Sequence, residues 1–287
     1  MGTIVRLTFR EMLNKKILYL GLLMTVVYLG FFGLAMYSMR DGMNGAPPLT
    51  MLGAAATVMA MGLFVSGMLV SGITIFSAVG SISAEIENGI IQAIAAKPLS
   101  RSAIFLGKFI GLGITVVGYS LLIFLATTGI VRYFFDLDMA SYPQGLVLFC
   151  LQPLVLLAVT MWGSTFMTTL GNGITMFVFY SLSVVGGMVE QIGVQLSSVG
   201  GMIGGSPIDA SSLSTIGILS SLLLPTDSMY RLVNFTLLYK SSVPVEALNF
   251  NPFSTITPPS VWMMVYSGIY LLAFLYFGIR TFTHRDI

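Results

Sequence analysis

Residues 85–101, Glu85-Ile86-Glu87-Asn88-Gly89-Ile90-Ile91-Gln92-Ala93-Ile94-Ala95-Ala96-Lys97-Pro98-Leu99-Ser100-Arg101, carry side chains suited to docking rather than catalysis. Glu85 and Glu87 fall in a first helical turn, where acids complement the helix dipole, and Pro98 ends the element. Ile86, Ile90, Ile91 and Ile94 recur at helical spacing as an apolar stripe that fits a groove on a partner. A membrane-surface helix with no partner is the alternative. No charged residue occurs at 42–84 or at 109–131. A charged amphipathic helix over 84–97 between two such stretches must lie outside the bilayer, presented to water.

Groups for bond-making chemistry are scarce. The single His284 lies near the C-terminus, and the single Cys150 excludes an internal disulfide framework and any multi-cysteine metal site. The 19 methionines are ordinary fillers of apolar helices more readily than soft-metal ligands. A Gly-x-x-x-x-Gly-Lys phosphate loop is missing, so ATP is not bound by that route. Ser66-Gly67 and Ser71-Gly72 lack the glycine two residues earlier that an intramembrane serine protease needs, since Phe64 and Leu69 stand there. They read as small residues that let helices approach, as does Gly107-x-x-x-Gly111. No catalytic residue and no metal ligand is assigned.

The elements that position the 85–101 run are set by composition. With 56% hydrophobic and 8% charged residues, the chain reads as a polytopic membrane protein. Crossing the hydrocarbon core takes about 20 apolar residues, and six segments qualify: 17–37, 57–81, 104–131, 145–169, 174–189 and 261–282. The fold class is all-α, with six transmembrane helices in a single domain. Leu170-Gly171-Asn172-Gly173 reads as a tight turn between the fourth and fifth spans. Residues 1–16 lack a cleavage site and read as an amphipathic helix in the headgroup plane, with a plain basic flank as the alternative.

Basic residues set the orientation. Cytoplasmic termini gather Arg6, Arg10, Lys15, Lys16, Lys97, Arg101, Lys108, Arg280 and Arg285 on one side and leave Arg40, Arg132, Arg231 and Lys240 on the other. Between the fifth and sixth spans, 190–260 holds short apolar helical runs separated at Pro225. This extracellular gate segment is expected to pack over the outer ends of those spans. Glu190 reads as a solvated carboxylate at the outer end of the fifth span, with substrate contact at the outer mouth as the alternative. No span interior carries an ionisable group, so proton or sodium relays lack material and the energy for transport must come from elsewhere.

Three stretches resemble the permeases of type-2 ABC exporters, especially the copper-enzyme (nitrous oxide reductase) maturation branch. They are Phe9-Arg10-Glu11-Met12-Leu13-Asn14-Lys15-Lys16, then Glu85 to Gly89 with Lys97 to Arg101 and Gly107-Lys108, and Phe282-Thr283-His284-Arg285-Asp286. Ile90-Ile91 departs from the polar residue many relatives carry after the glycine. The resemblance implies a six-span plasma-membrane permease that pairs as a homodimer and binds a separate cytoplasmic ATPase. That partner would hold ATP and Mg, and this chain would bind no cofactor. Glu85, Ile86, Glu87, Asn88, Gly89, Ile90, Ile91, Gln92, Ile94, Lys97, Pro98 and Arg101 would form the coupling helix. A membrane scaffold or assembly factor without transport, or one acting on an extracytoplasmic partner, is the competing reading.

Overall fold

The computed structural model describes residues 2–89, 100–137, 139, 141–202, 211–239 and 260–285. Among them it is helical, with no strand. The order is α1 (Gly2–Asn14), α2 (Lys16–Gly42), α3 (Pro48–Ala78), α4 (Ser83–Glu87), α5 (Arg101–Phe135) and α6 (Tyr142–Gly163). Then come α7 (Thr169–Met202), α8 (Ser211–Leu223), α9 (Thr226–Asn234) with a π-helical extension Phe235–Tyr239, and α10 (Val261–His284). Six of these (α2, α3, α5, α6, α7 and α10) are long and apolar enough to cross a membrane.

Helices α3, α5 and α6 form the centre, where Met59, Leu63, Ile123, Phe124, Phe149 and Val155 are buried together. Hydroxyls join these apolar helices: Tyr28 donates to the Gly62 carbonyl at 2.7 Å, and Ser66 meets Thr127 at 3.0 Å. In hydrocarbon such bonds complement close packing, because apolar burial gives helices no preference for one another over lipid. Helix α1 lies on α5 through buried Thr8 and Met12. A β-carbon at Gly111 would come within 2.8 Å of Thr8, so glycine there permits the approach.

Two local expectations change. The turn between the fourth and fifth spans occupies 164–168, and Leu170–Gly173 lies inside α7. The Thr168 hydroxyl accepts the Gly171 N–H at 3.2 Å, and Asn172 turns inward to donate to the Val79 and Thr160 carbonyls at 3.2 and 3.0 Å. Those bonds start the helix a turn early. Around the docking run, α4 stops at Glu87, and Gly89 adopts φ +70°, a left-handed conformation that glycine takes without strain. Residues 90–99 lie outside the described residues.

The segment after the fifth span does more than cover its end. Helix α8 runs antiparallel along α7: Ser220 lies against Gly186, and Glu190 against Gly217. It then reaches back to Ser183, whose hydroxyl donates to the Leu224 carbonyl at 2.6 Å. Helix α9 returns along α6 and α3, with Met229, Tyr230 and Val233 in the central core and the Tyr230 hydroxyl on the Ala60 carbonyl at 2.9 Å. The result is a re-entrant helical hairpin. Helix α8 packs inward through the small residues Gly217 and Ser221 and leaves Ile218, Leu219 and Leu222 exposed, whereas α9 is buried along nearly its whole length; the helical backbone satisfies its own polar groups at that depth.

Candidate functional site

Charged and hydroxylated groups collect where residues 79–89 meet the starts of α5 and α7 and the end of α10. Lys108, two turns into α5, is buried. Its ammonium pairs with Glu85 and donates to the Ser81 carbonyl. Isolated, that ammonium would be costly to bury, so the acid of α4 is held against α5. Glu87 reaches the N-terminus of α7: its carboxylate accepts the Thr169 N–H at 2.9 Å and the Thr169 hydroxyl at 3.1 Å. A carboxylate on free amide groups at a helix start complements the dipole there. The Ser83 hydroxyl meets Thr169 at 2.9 Å. Arg101 donates to the Thr283 and Arg285 carbonyls, and Arg285 to the Thr165 carbonyl. We call this end of the bundle the junction.

Of the sequence-derived residues, Glu85, Glu87 and Arg101 are thus brought into one bonded belt. Ile86 is half-buried against Met12, Ile82 and Phe105, facing this chain's own core. Asn88 and Gly89 are exposed at the tip. Ile90, Ile91, Gln92, Ile94, Lys97 and Pro98 lie outside the described residues. The belt also uses Lys108, Thr169 and Arg285. Lys108 and Arg285 stand in the motifs noted above; Thr169 gives no signal, since the sequence places it at the end of the fourth span and not at the start of the fifth.

Above the junction a groove of about 710 Å³ opens between α3 and α7. Met68, Phe76, Ile174, Phe177 and Val178 line its apolar walls, with Glu87, Thr168 and Thr169 at its junction end. These are the second and fifth spans. Lipid-type surface continues along them, since Phe76, Ile174 and Phe177 are each about 60% exposed.

Glu190 is not at a solvated helix end. Helix α7 continues past it, and its carboxylate pairs with Arg231 of α9 at 2.8 Å. Arg231 also meets Asp227 at 3.0 Å, one turn earlier on α9, and its side chain donates to Ser221 of α8 at 3.3 Å. Asp227 and Arg231 are 6% and 5% exposed. Ionisable groups therefore do stand inside the bundle: the hairpin contributes Asp227 and Arg231, and the spans contribute Glu190 and the buried Lys108. Close approach is possible because a β-carbon at Gly187 would overlap the Asp227 carboxylate. The i, i+4 spacing of Asp227 and Arg231 is a visible cue to this pair; Glu190 as the partner of Arg231, 41 positions away, is not. Among the described residues no group of His, Cys, Asp and Glu could hold a metal ion.

A protein-family model described as "ABC-2 family transporter protein" matches residues 12–189, more than half of the chain. No curated protein matches it.

Proposed function

The chain belongs to the ABC-2 family of transporter proteins, and from that premise we propose that it is the membrane subunit of an ATP-driven export complex. ATP and Mg are held by a separate cytoplasmic ATPase, so this chain performs no hydrolysis itself. The 84–97 region docks on that ATPase, and the junction end faces the cytoplasm. One observation carries the coupling: Glu87, one residue from the exposed tip, is hydrogen-bonded to the first residue of α7. A push on the tip reaches α7 directly, while the Glu85–Lys108 pair keeps α4 from yielding separately.

In this reading α3 and α7 of two copies face one another as a homodimer, and the groove between them is half of the transport path. Its apolar walls suit lipid-like or amphipathic cargo, or a peptide. The α8–α9 hairpin, tied to α7 by Glu190 and to α10 by Tyr266 and Tyr270, closes the other end and moves with α7. Helix α1 lies at the cytoplasmic surface of the plasma membrane, its exposed Leu7 and Leu13 available to lipid. Placement in the copper-enzyme maturation branch rests on the motif resemblance and adds no cargo.

Replacing Ile90 and Ile91 by Asp and purifying the tagged chain from its native membranes tests the docking. The parent is expected to carry an ATP-hydrolysing subunit through the column. The double variant should insert normally and elute without it. Retention of the ATPase at full stoichiometry by the variant would refute the docking assignment, and a parent that never carries an ATPase would favour a scaffold.

A further inference from the structure

At the end of the bundle opposite the junction, a second cavity of about 540 Å³ lies between α7, the hairpin and the start of α10. Its size is in the range of sites for small organic ligands. The inner wall is polar, formed by Glu190, Arg231, Ser221 and Ser228; the outer wall is apolar, formed by Ile218, Leu222 and Met263, with Trp262 at the rim. Ile218 and Trp262 are exposed, so the cavity opens sideways toward surface that lipid covers. Trp262 stands in the first turn of α10, at the depth where aromatic residues meet headgroups.

The charges on the inner wall cancel. Glu190 and Arg231 are paired at 2.8 Å, and no other ionisable group lines the cavity. A cation finds no acceptor there, because Glu190 Oε2 is closed off against Gly217 and its other oxygen is on Arg231. An anion would be a third negative charge on a guanidinium that already serves Glu190 and, behind the wall, Asp227. Uncharged donors are what the wall has to offer. Ser221 accepts from Arg231 and keeps its own hydroxyl proton. Ser228 is 3% exposed, and its hydroxyl makes no hydrogen bond with any described residue. Arg231 faces Glu190, Asp227 and Ser221 with three of its N–H groups, out of the five a guanidinium carries. A nearly buried donor without a partner favours an incoming oxygen acceptor.

We propose that this cavity binds an uncharged single-chain amphiphile with an oxygen-rich head, of the monoacylglycerol class. The ester and hydroxyl oxygens of the head meet Ser221 and Ser228, and the chain leaves past Ile218 and Trp262. Such a site requires neither the ATPase nor the transport reading.

The test uses the full chain in phosphatidylcholine nanodiscs. Trp162→Phe leaves Trp262 as the remaining one of the two tryptophans, so its fluorescence reports on the cavity. Four probes of matched chain length are titrated: monooleoylglycerol, octadecene, oleyl sulfate and oleyltrimethylammonium. Monooleoylglycerol is expected to saturate the signal at a membrane mole fraction about tenfold below that of either charged probe, a difference of about 1.4 kcal/mol, with octadecene no better than these. Ser228→Ala, a small change on a hydroxyl outside the ion pairs, should raise the monooleoylglycerol requirement about threefold and leave the charged probes unmoved. Ile218→Phe, which narrows the cavity without touching its polar wall, should weaken monooleoylglycerol as well. A signal that rises with monooleoylglycerol without saturating, a charged probe or octadecene that binds as tightly, or unchanged monooleoylglycerol affinity in either variant would each overturn the proposal.

Discussion

The molecule holds charged groups in two places, and they are used differently. At the junction, Lys108 is matched by Glu85, while Glu87, Arg101 and Arg285 spend their charge on backbone groups at helix ends. Apart from Lys108, which is buried, these side chains are at least partly exposed, and together they connect four elements that would otherwise meet through short turns. In the hairpin, Glu190, Asp227 and Arg231 are withdrawn from water and bind one another. The first arrangement transmits position between segments. The second fixes a re-entrant element against one span and leaves an excess carboxylate. Disturbing the cation costs more in the hairpin, because Arg231 holds two carboxylates, Glu190 and the deeply buried Asp227, where Lys108 holds Glu85 alone.

The largest effect is expected in the hairpin. Arg231→Leu leaves two carboxylates buried without a counter-ion and should cost about 3–5 kcal/mol, read as a fall in the thermal unfolding midpoint in detergent. Adding Glu190→Gln and Asp227→Asn should restore most of the loss, since no uncompensated charge then remains. A single variant as stable as the parent would break the contrast between the two regions.

Lys108→Met comes next. It strands Glu85, which is about 20% exposed, and should cost about 1–3 kcal/mol. Glu85→Gln in that background should recover part of it. Thr169→Val removes the hydroxyl contacts to Glu87 and Ser83 but keeps the Thr169 N–H, so the stability loss should stay near 1 kcal/mol. In the proposed complex the same variant should lower the response of ATP hydrolysis to cargo far more than it lowers stability. Equal losses in both would reduce the Glu87–Thr169 contact to a structural one. The exposed pair of Glu11 on α1 with Lys15 just beyond it, 3.1 Å apart, gives the smallest effect: Glu11→Gln should change stability by less than about 0.5 kcal/mol.

How far the sequence reveals these regions follows from the range of the interactions. Six apolar stretches announce the spans because apolar length is a local property. The acids and bases of 85–101 are equally visible. Their partners are not: nothing local in Glu87 points to Thr169, 82 positions on. The glycines at 171 and 173 read as a turn because glycine is the commonest turn residue. Only the inward bonds of Asn172, to carbonyls of α6 and of the turn that follows α3, show why they are helical instead. The two short helices divided at Pro225 are legible in the sequence, but their depth is not, because it depends on Gly186, Gly187 and Gly217 lying opposite larger side chains. Those matches appear only when α7 and α8 are side by side.

The junction end, not the far end, is the one expected to meet an ATPase. A photo-crosslinking amino acid placed at Asn88, exposed at the tip, and in a parallel chain at Tyr133, 79% exposed at the other end of α5, compares them in native membranes. The prediction is that Asn88 yields an adduct with an ATP-binding protein and Tyr133 does not. An ATPase adduct at Tyr133, or none at Asn88 while the chain remains in the membrane, would contradict it.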